Sequence, residues 1–168
     1  MLNLLRKSVV RKQDGQRLYD GVVSRARDPV FFTAFGVPDT IDGRFDMVVL
    51  HAWLVLTVLK QAEQAEAAQG LTDVIFTGFD EALREQGAGD MGISRKLKAF
   101  ADGFYGRLAA YEGAREESEL AEALARNIWR GAPVDARTVV LATYTLKARE
   151  KLKHTLPDTI DFGPLPVL

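Results

Sequence analysis

The 168-residue chain has no cysteine and only two histidines, His51 and His154. The first absence removes disulfides, thiolate catalysis and cysteine-ligated zinc or iron–sulfur centres, and it suits a reducing compartment. The second argues against a histidine-rich metal site. The six prolines fall near the ends of predicted elements, which favours helices over sheets. Long apolar runs are also lacking. The longest, Met47 to Leu59, is interrupted only by His51 and Thr57, and it falls short of the roughly 20 residues that span a bilayer.

What is present is rich in alanine, leucine, glutamate, arginine and lysine, a helix-forming mixture long enough to bury the core of one domain. The net charge of −1 conceals a division along the chain. Residues 1–27 hold Arg6, Lys7, Arg11, Lys12, Arg17, Arg25 and Arg27 against only Asp14 and Asp20. Residues 28–80 are acidic, with only Arg44 and Lys60 as cations. Such asymmetry either serves an anionic partner, such as a membrane, RNA or an acidic protein, or lets the two regions pack on each other.

The central feature is the run from Met47 to Leu59, apolar on every face and therefore a helix wrapped on all sides. It follows a turn-rich loop from Gly36 to Arg44 and is expected to span roughly residues 43–69, with Asp46 in its first turn and Gly70 as its stop. Around it the spacing predicts a basic amphipathic segment over residues 1–14 and a helix from Gln16 to Arg27. A short aromatic helix is capped by Asp28, and another helix is capped by Thr72 or Asp73 and runs to Leu83. Three further helices follow: Ser94 to Glu112, Glu116 to Arg130, and one capped by Asp135 and ending at His154. The fold class is all-α, a single-domain bundle of six to seven helices over residues 15–156, with an extended tail over residues 157–168.

Few motifs carry chemistry. Gly87 to Gly92 matches G-x-G-x-x-G, but an amphipathic helix precedes it where a nucleotide fold needs a strand, so it reads as an interhelical turn. Asp39, Asp42 and Asp46 do not satisfy a calcium-loop pattern. His51, inside an apolar helix, reads as a hydrogen-bonded core residue, with haem ligation together with His154 as the alternative. Arg44 and Arg84 stand beside apolar segments, with Asp46 and Asp80 as candidate partners. No cofactor, metal or DNA partner is expected.

Several blocks together closely resemble one family. Arg25-Ala26-Arg27-Asp28-Pro29-Val30-Phe31-Phe32, Gly36-Val37-Pro38-Asp39-Thr40 to Asp42-Gly43-Arg44-Phe45-Asp46-Met47, Phe79-Asp80-Glu81-Ala82-Leu83-Arg84-Glu85 and Phe104-Tyr105-Gly106-Arg107 are similar to the ubiquinol–cytochrome c chaperone family. The resemblance covers residues 18 to about 115 and continues loosely through the last helices. It implies an all-helical, non-enzymatic assembly factor for the cytochrome bc1 complex that binds newly made cytochrome b. It also implies association with the ribosome and a small partner protein, as for mitochondrial members. The family brings no catalytic residues.

The client or partner face is expected at Val37, Asp39, Asp42, Arg44, Asp46, Asp80, Arg84, Phe104, Tyr105, Arg107 and Tyr111. Membrane or ribosome contact is expected at Arg6, Lys7, Arg11 and Lys12. The expected location is the cytoplasm, with peripheral contact on the inner membrane. An RNA- or membrane-surface-binding module is the competing reading, and a haem-handling protein using His51 ranks below it.

Overall fold

The computed structural model describes residues 2–85 and 89–168. Among them all regular structure is helical, in seven helices. These are α1 (Leu2–Ala26), α2 (Pro29–Thr33), α3 (Ile41–Gln61), α4 (Ala65–Glu85), α5 (Asp90–Glu112), α6 (Glu117–Ile128) and α7 (Ala136–Thr155). Helix α3 is the axis of the bundle, with α1, α4, α5, α6 and α7 packed around it. It is buried on every face, from Met47 through Val49, Leu50, Trp53 and Leu54 to Leu59. This is what a run without a polar stripe requires.

The caps follow the sequence where a polar side chain makes them. Asp28 accepts from the Val30 amide at 3.0 Å, with Pro29 in the first turn of α2. Asp135 and Thr138 form a reciprocal capping box at the start of α7. Thr40 accepts from the Gly43 amide at 3.1 Å, so α3 begins at Ile41. Asp46 therefore lies beyond the first turn and has a role other than the dipole interaction expected of it.

The largest correction concerns the end of α3. It stops at Gln61 rather than near residue 69, and Gly70, Thr72 and Asp73 lie inside α4. The stop is a Schellman motif: the Gln64 amide donates to the Leu59 carbonyl at 2.8 Å and the Glu63 amide to that of Lys60 at 3.2 Å, with Glu63 at φ +57°. A non-glycine residue fills the left-handed position, so the glycine signal for a helix end was absent. Gly70 serves packing instead. A Cβ on Gly70 would stand 2.5 Å from the Arg11 carbonyl oxygen, and one on Gly15 would stand 2.3 Å from the Gly70 carbonyl oxygen. Helices α1 and α4 thus cross backbone to backbone at paired glycines.

The basic N-terminal segment and the helix expected from Gln16 are one continuous helix, α1. Arg11 pairs with Asp73 of α4 at 3.3 Å, so the basic and acidic regions meet at this point. Helix α5 starts at Asp90, four residues ahead of Ser94, with Gly89 as N-cap. Gly87 and Ala88 of the glycine-rich motif lie outside the described residues, and the element before it is helix α4.

The tail after α7 has no regular structure, but it does more than run over the surface. Phe162 is buried in the core. The Arg25 guanidinium donates to the Gly163 carbonyl at 2.6 Å and that of Arg17 to the Pro157 carbonyl at 2.6 Å. The tail is thereby strapped across α1.

Candidate functional site at the α3–α5 junction

The start of α3 and the middle of α5 meet at a buried carboxylate. Asp46 is fully buried, and two arginines from different parts of the chain reach it. Arg107 of α5 donates through Nε to Oδ1 at 2.7 Å, and Arg130, just after α6, approaches Oδ2 with Nη1 at 2.8 Å. Arg107 also donates to the Gly103 carbonyl at 3.0 Å and lies 5.0 Å from the centroid of the Phe45 ring. Burial raises the Asp46 carboxyl above its ordinary pKa, while the two guanidiniums pull against that rise.

Arg130 thus closes a second short ion pair on the same carboxylate, at Oδ2. The buried Tyr111 hydroxyl has no hydrogen-bond partner. Burial pushes its pKa up.

Beside this cluster runs a row of aromatic rings shared by α3, α4 and α5. Phe45 and Phe100 stand 5.2 Å apart, Phe100 stacks on Phe79 at 3.8 Å, and Phe76 meets Phe100, Phe104 and Tyr105 within 5.2 to 5.9 Å. Phe104 is fully buried, Phe45, Phe79 and Phe100 are half-buried, and Tyr105 is 52% exposed. The row therefore begins in the core and ends at solvent.

The residues expected at a partner face divide accordingly. Val37, Asp46, Phe104 and Tyr111 are buried, while Asp39, Asp42, Arg44 and Arg84 are exposed and Asp80 is half-buried. Arg44 pairs with Asp39 at 2.8 Å rather than with Asp46, and that contact holds the Asp39 carboxyl below its usual range. Arg84 does pair with Asp80, at 2.8 Å and one turn away. Arg107 holds Asp46, so reversing its charge would place two carboxylates together in the core and disturb folding directly.

Arg11 and Lys12 are exposed on α1, Arg11 engaged by Asp73; the structure describes no side chains for Arg6 and Lys7. Sequence reasoning missed Arg130. It follows the last turn of α6 at φ +55°, and no spacing rule connects it to Asp46, 84 positions earlier.

His51 is fully used by the core. Its Nδ1 donates to the Met47 carbonyl at 2.8 Å, and its Nε2 accepts from the Tyr144 hydroxyl at 2.9 Å. The rings of Phe31, Tyr144 and Phe162 surround it at 5.2 to 5.9 Å. Burial lowers its pKa to about 4, so at neutral pH it is an uncharged imidazole with both nitrogens engaged and neither available to haem iron. His154 is exposed at the end of α7. Among the described residues no group of three acidic or histidine side chains could hold a metal ion. No helix among them is long and apolar enough to cross a membrane.

This arrangement offers an aromatic surface with a cationic edge. Residues 33–163 match the family model described as ubiquinol-cytochrome C chaperone. The chain belongs to that family. The crystal structure of the Cbp3 homolog from Brucella abortus is similar to it throughout, with 33% identity, a TM-score of 0.77, and coverage of 99% of this chain and 96% of that one. Among curated proteins none matches.

Proposed function

We propose that the protein is an assembly factor for the cytochrome bc1 complex, holding newly made cytochrome b without catalysing a reaction. The observation that carries this reading is the aromatic row of Phe45, Phe100, Phe79 and Tyr105, which reaches solvent at Tyr105 and carries Arg107 on the face of Phe45. Rings that are half-buried in the free protein can complete their burial against an apolar client segment, in the manner of a helix laid in a groove. Family membership supports a component of the bc1 complex as the client. The engagement of His51 in the core supports binding over chemistry.

The test is affinity capture of the tagged protein from its own membranes, with mass spectrometry, beside a Tyr105→Asp variant. Tyr105 is exposed, so the variant should keep the helical circular dichroism of the parent. Cytochrome b should be recovered by the parent and lose about tenfold in the variant, equivalent to roughly 1.4 kcal/mol of binding. Recovery of ribosomal or soluble proteins with cytochrome b missing would overturn the reading.

A further inference from the structure

The charges at Asp46 do not balance. One fully buried carboxylate is faced by two guanidiniums, and these are the charged groups acting on it. One positive charge is therefore left over at a carboxylate whose other partner, Arg107, lies on the face of Phe45 in the aromatic row. The two arginines are not equivalent. Arg107 is 19% exposed and tied down by Asp46 Oδ1 and the Gly103 carbonyl, whereas Arg130 is 49% exposed and pairs with Oδ2 at 2.8 Å. Arg130 is also tethered by its own side chain to the Asn127 carbonyl, one turn back.

We infer that Arg130 is a carboxylate receptor: an apolar client segment that covers Phe45, Phe100 and Phe79 presents an acidic side chain which draws Arg130 off Asp46. The inference rests on the client-holding reading and specifies the partner's chemistry, an apolar helix bearing one carboxylate. A guanidinium–carboxylate pair is charge-assisted and geometrically selective, and it discriminates against the neutral amide of the same shape. Covering the aromatic row also removes water from the pair and strengthens it.

The experiment uses two synthetic helical peptides of about 20 mostly apolar residues, identical except for one central glutamate or glutamine. Each is labelled and titrated with the full-length protein in a mild detergent. The glutamate peptide should bind about tenfold more tightly. That preference should vanish in Arg130→Gln. Equal affinities of the parent protein for both peptides would overturn the carboxylate inference and leave the client reading standing. Binding of neither peptide would count against the aromatic row as the client surface, and the inference would fall with it. Circular dichroism of Arg130→Gln, whose parent side chain is half exposed, separates lost recognition from lost fold.

Discussion

Asp46 and His51 lie five residues apart on one helix, both fully buried, and the protein satisfies them in opposite ways. His51 is uncharged, its partners are a carbonyl of its own helix and a tyrosine of α7, and three aromatic rings close the cage. Asp46 is matched by charge, and its partners are long side chains, one of which remains half in water. The first arrangement is sealed: every polar atom is matched and the tail residue Phe162 covers it. The second has an excess of positive charge, and one of its partners reaches water. A helix that must be buried all round can carry a polar group for cohesion or for exchange, and α3 carries one of each.

The strongest way to break the comparison is to remove the carboxylate. Asp46→Ala should cost about 3 to 5 kcal/mol, because deleting one member of a buried ion pair strands the charge of the other. Urea unfolding followed by circular dichroism measures it. Arg44→Ala, which removes an exposed pair with Asp39, should leave the unfolding midpoint where it is. A similar loss in both variants would mean that burial is not what gives the Asp46 pair its weight.

Acid tests the other half of the comparison. The pKa of His51 is depressed to about 4 in the folded protein. The unfolded chain therefore takes up the proton first, at its ordinary value near 6.5. Stability from this group is present above pH 6.5 and is lost as pH falls to 4, a span equivalent to about 3 kcal/mol. The carboxylates held below their usual range, such as Asp135 and Asp161, act only lower on the pH scale. Unfolding free energy measured between pH 7 and 4.5 should fall in the parent and much less in His51→Gln. Parallel profiles would show that the cage is open to solvent.

How much of this was legible in the sequence depended on whether the determinant was local. Asp28-Pro29 and Asp135 act on amides within three residues, so these two caps could be read directly. Thr40 was not expected as a cap, and the caps expected at Thr72 or Asp73 and at Ser94 lie inside α4 and α5. The Met47 to Leu59 run needed no partner to be identified as a buried axis. The α3–α4 break at Glu63 was not readable, because the left-handed residue there is not glycine. Gly70 misled for the converse reason: its purpose is the approach of Gly15, which lies 55 positions away in the chain. The Asp46 cluster failed likewise. Its partners come from α5 and from the residue after α6, and nearby Arg44 was the more obvious candidate until the helix register turned it to solvent.

The two buried tyrosines give the finest form of the comparison. Tyr144 donates to His51 Nε2, so Tyr144→Phe removes a hydrogen bond and leaves a buried acceptor unmatched, at a cost of about 1 to 2 kcal/mol. Tyr111→Phe removes a hydroxyl that has no partner in the free protein. It should be neutral, or stabilise by a few tenths of a kcal/mol, because an unpaired buried hydroxyl is itself a cost. The same substitution made at two buried tyrosines, measured by urea unfolding at pH 7, thus separates a hydroxyl that completes a cage from one without a partner. If Tyr111→Phe proved as costly as Tyr144→Phe, the Tyr111 hydroxyl would already be bonded in the free protein.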